Sequence, residues 1–201
     1  QTYGGVENDL GHSVQQTSDG GYIITGYTES FGNGHADLWL IKTDSQGQEE
    51  WNQTFGGSNY DRGYFGQQTT DGGYIITGET GSFGNGLHDL WLIKTDSEGN
   101  EIWDKTFGGS GGEYGYSVQQ TTDSGYIITG STSSYGNGGH DVWLVKTNFK
   151  GVPERTKSYG GSSNDYGLSV RQTADGGYII GGFTESYGNG LHDFRLIKTD
   201  S

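Results

Sequence analysis

The sequence predicts an all-β protein, a four-bladed β-propeller built from four 52-residue repeats. Three observations lead there. One pattern recurs every 52 residues, so that Tyr22, Tyr74, Tyr126 and Tyr178 are equivalent, as are Lys42, Lys94, Lys146 and Lys198. Each unit holds four short segments rich in β-branched and aromatic residues, separated by Gly-rich turns. No window carries a helical period. A meander of four antiparallel strands, repeated at this length, is the pattern of a propeller blade.

The second unit, residues 54–105, shows the elements in order. "YFGQQT" (64–69) is the first extended segment. "DGG" follows as a tight turn in which glycine supplies positive φ. "YIITGET" (74–80) is the second strand, and its continuous apolar run suits a middle strand covered on both faces. A longer loop carrying Asn85-Gly86 leads to "LWLIKTD" (90–96), the third strand. "SEGN" turns the chain again, and "EIWDKTF" (101–107) is the fourth. The whole chain reads as one domain with repeats at about 2–53, 54–105, 106–157 and 158–201. Gln1 aligns with Gln53 and Ser201 with Ser45, seven residues short of four full units. The N-terminal residues 1–3 are therefore expected to pair beside residues 194–199, completing a sixteenth strand and closing the ring in the C-terminal blade.

"YIITGET…HDLWLIKTD…EIWDKTFGG" resembles the repeats of secreted bacterial and archaeal β-propeller proteins and, more distantly, kelch repeats. Kelch units share a Gly pair after a strand and a Trp in a later strand; here the Gly pair precedes "YII". The resemblance spans the chain. It implies the fold and, because those families include surface, adhesive and scaffold proteins, a structural or adhesive role.

Composition narrows the function classes. The formal charge is −14, which disfavours nucleic acid and anionic membranes as partners. The absence of Cys excludes disulfides and thiolate metal sites. No apolar run approaches the length of a membrane span. A chain that begins at Gln1 reads as processed, which favours secretion and an extracellular or cell-surface location.

Several constellations could carry chemistry. In the loop "GSFGNGLHD", His88, His140 and His192 adjoin Asp89, Asp141 and Asp193. Neighbours on an extended chain face opposite ways, so these pairs do not converge. The loop reads instead as an Asn-Gly hairpin turn whose Asp accepts backbone N–H bonds. Phe31, Phe83, Tyr135 and Tyr187 neighbour Asn33, Asn85, Asn137 and Asn189, an aromatic-plus-amide set that suits a sugar ring. Four such sites would give a multivalent carbohydrate-binding module for surface glycans. Asp9, Asp61, Glu113 and Asp165 enter the innermost strands, where four carboxylates about one axis would hold a Ca²⁺ ion; the alternative has them in solvent. "DSQGQE" and "DSEGNE" read as type I turns, and Asn52-Gln53-Thr54 is a single glycosylation sequon.

Every Ser, His and Asp set recurs with the repeat, so no catalytic constellation stands out. Symmetry breaks instead at "NFKGVPERTK". There Lys150, Arg155 and Lys157, together with Arg195 in place of a repeated Trp, suggest a basic assembly corner on an acidic molecule. The overall expectation is a secreted, non-enzymatic structural or adhesive protein that associates with itself through head-to-tail contacts. The alternative is the multivalent glycan binder.

Overall fold

Each repeat folds into its own antiparallel meander. The computed structural model describes residues 1–200, and these form fifteen strands in four sheets. The first sheet holds β1 (Asp9–Gln16), β2 (Tyr22–Thr28), β3 (Asp37–Thr43) and β4 (Glu49–Phe55). The second holds β5 (Asp61–Gln68), β6 (Tyr74–Thr80), β7 (Asp89–Thr95) and β8 (Glu101–Phe107). The third holds β9 (Glu113–Gln120), β10 (Tyr126–Thr132), β11 (Asp141–Thr147) and β12 (Pro153–Tyr159). The fourth has three strands, β13 (Asp165–Gln172), β14 (Tyr178–Thr184) and β15 (Asp193–Thr199). No helix among the described residues is long and apolar enough to cross a membrane.

The second and third strands of the middle sheets are buried at every position, because a neighbouring sheet covers each face. Their unbroken apolar runs follow from that double cover. The first strand of each sheet is bulged. The cause lies across the ladder: a Cβ on Gly78 would stand 1.8 Å from the carbonyl oxygen of Arg62, and Gly26, Gly130 and Gly182 are placed alike. Only glycine lets the two backbones approach this closely.

The sheets pack in chain order, first on second, second on third, third on fourth. Each joint buries one apolar cluster. Ile23, Leu38 and Leu40 meet Tyr74, Ile76, Trp91 and Ile93 at the first. Ile75, Leu90 and Leu92 meet Val118, Tyr126, Ile128, Trp143 and Val145 at the second. Ile127, Val142 and Leu144 meet Val170, Tyr178 and Ile180 at the third. A buried aliphatic or aromatic side chain of this kind contributes about 1.5–3 kcal/mol. Backbone bonds reinforce each joint: Asp61 N–H donates to Ala36 O (2.7 Å), Glu113 N–H to His88 O (2.8 Å) and Asp165 N–H to His140 O (2.6 Å). Glutamines add stitches, Gln68, Gln120 and Gln172 accepting the N–H of Ser18, Thr70 and Thr122 at 2.8–2.9 Å.

The closed four-bladed propeller is corrected by this arrangement. The described residues form fifteen strands, not sixteen, and no sheet closes the array. Residues 1–3 form no strand beside β15. Gln1 and Tyr3 instead reach the β3–β4 turn, where the Tyr3 hydroxyl donates to Gly47 O and the Gln1 amide to Gln48 Oε1. The physical reason lies along the inner strands. Tyr64, Tyr116 and Tyr166 line up there, with ring centroids 5.4 and 6.4 Å apart, and Tyr166 stacks on Phe183 at 4.8 Å. Closing a ring of only four sheets requires those strands to converge, and a row of large rings occupies the space they would need.

Candidate functional site

The four carboxylates at the starts of the inner strands are structural pins, each in its own sheet. Thr80 Oγ1 donates to Asp61 Oδ1, while Ser82 Oγ (2.6 Å) and Gly57 N (2.8 Å) donate to Oδ2. Asp9 is held by Thr28, Ser30 and Gly5 in the same way. Glu113 takes Thr132, Ser134 N and Gly109 N at 2.7–3.0 Å. Asp165 takes Ser186 (2.7 Å), Gly161 N (3.0 Å) and the Arg195 guanidinium (2.9 Å). Burial alone would raise the Asp9 and Asp165 carboxyls, but these bonds outweigh it and hold both below the usual carboxylate range. Asp61, Glu113 and Asp165 are fully buried and do not face solvent. Among the described residues no group of three or more His, Asp or Glu could hold a metal ion.

The repeated Asn-Gly loop is closed by its aspartate. Asp37, Asp89 and Asp141 accept the backbone N–H of Asn33, Asn85 and Asn137 at 2.6–2.8 Å, and Asp193 accepts that of Gly190 at 2.9 Å. The turn differs from the hairpin type that Asn-Gly suggests. Positive φ falls on the glycine before the asparagine, at Gly32, Gly84, Gly136 and Gly188, and in the third repeat also on Gly138 after it. Burial raises the carboxyl of Asp89, with the charge of Glu113 adding to it; Asp37 and Asp141 shift the same way. The histidines join aromatic rows: His35 stacks on Tyr60, while His88 stacks on Tyr114, which also lies 5.7 Å from His140, itself stacked on Tyr166; His192 pairs with Glu185 at 2.9 Å.

The sugar-type residues divide. Phe31, Phe83, Tyr135 and Tyr187 are each about half exposed, and Phe31, Phe83 and Tyr135 lie 5.5 Å from the buried rings of Trp39, Trp91 and Trp143. Two open clefts repeat at this place. One, of about 440 Å³, is lined by Phe83, Trp91, Thr54, Thr106, Glu101 and Asp104. The other, of about 500 Å³, is lined by Tyr135, Trp143, Thr106, Thr156, Lys157 and Ser158. Asn33, Asn85, Asn137 and Asn189 are exposed on the loops and line neither cleft. The two tyrosines are also tied through their hydroxyls, Tyr135 donating to Gly108 O (3.0 Å) and Tyr187 to Gly160 O (2.8 Å), and Tyr187 alone of the two has the Arg195 guanidinium over its ring, at 4.6 Å.

The basic residues have different neighbours. Arg195 is tied to Asp165. Lys150 lies over Phe149 at 5.5 Å and lines a cleft with Ile102 and Trp103. Arg155 and Lys157 share a separate small cavity with Tyr159 and Tyr178.

A polar cluster that sequence reasoning missed sits on the inner strands of the second sheet. Glu79 is 1% exposed and accepts from Arg62 Nη1 (3.1 Å) and Tyr64 OH (2.7 Å), with His88 Nδ1 at 3.4 Å. The Arg62 guanidinium also lies over Tyr27 and Tyr60, at 5.1 and 4.9 Å. Burial, and then the Glu79 charge, push the Tyr64 phenol far up, so it remains a donor. The carboxylate is saturated by its partners, which suits an internal brace more than an acid or base. The signal was available: the residue in "YIITGxT" changes from Tyr27 to Glu79 to Ser131, and to Phe183 in the last repeat.

No protein-family model matches the chain, and no curated protein matches it. Among solved structures it is similar to the tail fiber of Staphylococcus aureus phage P68, with 9% identity, a TM-score of 0.35, and coverage of 96% of this chain and 50% of that one. The chain thus spans about half the length of that neighbour. A likeness this distant does not establish a shared fold.

Proposed function

We propose that the chain is a non-enzymatic structural module of a secreted or cell-surface protein. The supporting observation is how its recurring polar residues are spent. The aspartates and glutamate close loops through Thr, Ser and backbone N–H groups. Lys42, Lys94 and Lys146 tie a turn to the third strand through Asp19, Asp71 and Asp123. The residue types that chemistry would draw on hold the repeat together instead. Fractionation and immunogold labelling of the source cells test this reading. Label in the extracellular or surface fraction is expected; label confined to the cytosol overturns it.

A second reading, multivalent glycan binding, is favoured by the two repeated clefts with their half-exposed rings. Stacking on an aromatic face beside carboxylate and hydroxyl groups suits a pyranose. On that reading a glycan array gives a hit that Phe83→Ala combined with Tyr135→Ala abolishes. An array without hits removes it.

A further inference from the structure

We propose that the outer face of the fourth sheet docks on the outer face of the first sheet of a second copy of this chain, forming a fourth joint identical in plan to the three inside the molecule. The argument starts from what the end sheets leave uncovered. Leu38 and Leu40, Leu90 and Leu92, and Val142 and Leu144 are at most 7% exposed, because the next sheet covers them. Their equivalents on β15, Phe194 and Leu196, are 79% and 63% exposed. The opposite half of the joint is partly uncovered at the other end of the stack, where Trp39 and Ile41 are buried beside Tyr3 and the positions around them are open. Val118 and Val170 are fully buried against the preceding sheet, whereas the equivalent Val14 is 58% exposed. Ile24 and Tyr22 are likewise less buried than their counterparts in the later sheets. The four sheets therefore present two unlike outer faces, and each is the kind of face the other covers three times among them.

The substitutions at the end face keep the fit. Within the joints, Thr25 and Leu38 both press on Gly63, Thr77 and Leu90 on Gly115, and Thr129 and Val142 on Gly167. On the fourth sheet the threonine has become Gly181 and the aliphatic residue Phe194. One side chain shrinks as its neighbour grows, which conserves the volume offered to the glycine opposite, here Gly11. The polar stitches have their ends in place as well. Ala174 N–H occupies the position of Ser18, Thr70 and Thr122, and Gln16 that of the glutamines that accept from them. Gln16 Nε2 already donates to Gly20 O at 3.4 Å, as Gln68 Nε2 does to Gly72 O at 3.2 Å, which points the amide oxygen outward in the same way. His192 C=O and Asp9 N–H are the pair that would continue the backbone bonds between sheets. Tyr3 lines the first sheet's outer face with Leu10, Ile24 and Ile41. Phe55, Phe107 and Tyr159 stand in its equivalent place at the three joints.

The contact is heterologous, one end of the stack against the other, so it is satisfied in a row of copies or in a ring of them. It names the partner that the structural reading calls for and rests on that reading for its purpose. Its test, on the purified 201-residue chain, is separate: a cytosolic location would remove the structural reading and leave the association standing.

Sedimentation velocity across a concentration series, in enough salt to screen the −14 charge, is the assay. The parent should form species of two or more times the 21.7 kDa monomer mass. Leu196→Glu disables one face and Val14→Glu the other, and each variant alone should associate at least roughly tenfold more weakly. Both positions are exposed, so both variants should melt as the parent monomer does. Mixing the two restores one intact pair of faces, and the mixture should stop at twice the monomer mass. A parent that stays monomeric at every concentration overturns the proposal. So do variants that associate as the parent does, or a mixture that forms no dimer.

Discussion

Replacing Trp91 with alanine tests whether the joints between sheets carry the stability of the molecule. The indole is 2% exposed and belongs to the first joint's cluster with Tyr74, Ile76 and Ile93. Its Nε1–H donates to Asp104 Oδ2 at 2.8 Å, and its ring lies 5.5 Å from that of Phe83. A buried aromatic side chain hides roughly 150–250 Å². At about 25 cal/mol per Å² that is about 4–6 kcal/mol, an upper bound because the unfolded chain already buries some of it. The alanine methyl recovers a small part, and Asp104 is half-buried and can rehydrate. The expected loss is therefore about 3–5 kcal/mol. For a chain of this length that lowers Tm by on the order of 10 °C. Urea unfolding followed by far-UV circular dichroism measures it, with an unchanged m value as the check that one transition is compared. Phe83→Ala is the internal control, since that ring is 46% exposed and should cost only about 1 kcal/mol. A Trp91→Ala loss below about 1 kcal/mol, or no larger than that of Phe83→Ala, would refute the claim that the joints dominate.

Three further outcomes are expected. Ser124 holds φ of 67°, where the equivalent turns place Gly20, Gly72 and Gly176, so Ser124→Gly should stabilise by about 0.5–1 kcal/mol, read as a raised Tm. Burial opposes ionisation of Asp123, but bonds from Thr121 and Lys146 outweigh it and lower its pKa from 3.8 to about 2. A lowered folded-state pKa gives stability that is present above the unfolded value and lost as pH falls through the folded one. The stability gap between parent and Asp123→Asn should thus be constant near neutrality and close between pH 3.8 and about 2 in an acid titration. Because Asp9, Asp61, Glu113 and Asp165 are saturated by hydrogen bonds in separate sheets, Ca²⁺ and EDTA should leave Tm unchanged in differential scanning calorimetry. A rise with Ca²⁺ would place an ion among them.

Local structure was legible in the residues because it follows from local chemistry. Strand limits at Tyr74–Thr80 and Glu101–Phe107 match the sequence pattern, since β-branched runs and Gly turns mark them directly. The strand expected at 64–69 begins earlier, at Asp61, because the backbone bond to Ala36 O extends pairing into what looks like loop. Trp39, Trp91 and Trp143, which recur at one position of the repeat, are buried. The angle between sheets was not legible. It depends on contacts such as Tyr64 on Tyr116 and Tyr116 on Tyr166, between strands that lie about one repeat apart in sequence. The Glu79 cluster was hidden for a related reason. Repeat counting rewards what recurs, and Arg62 and Glu79 occur in one repeat only. The carboxylates at the inner strands were identified as a set, but their partners Thr80 and Ser82 lie about 20 residues on, outside any short motif.

The glutamine stitches have a consequence for how such a chain can change length. Ser18, Thr70 and Thr122 each find their acceptor 50 residues downstream, so the polypeptide carries its own ruler. Duplicating or deleting one whole period returns every amide to an equivalent glutamine and every apolar face to an equivalent partner. An insertion of an odd number of residues within a strand turns the side chains beyond it to the wrong face, and an even one still shifts the register, so either breaks the mesh on both sides of it. Growth and loss in this lineage are therefore expected in steps of 52 residues, with drift confined to the loop tips, where the spacing is not measured.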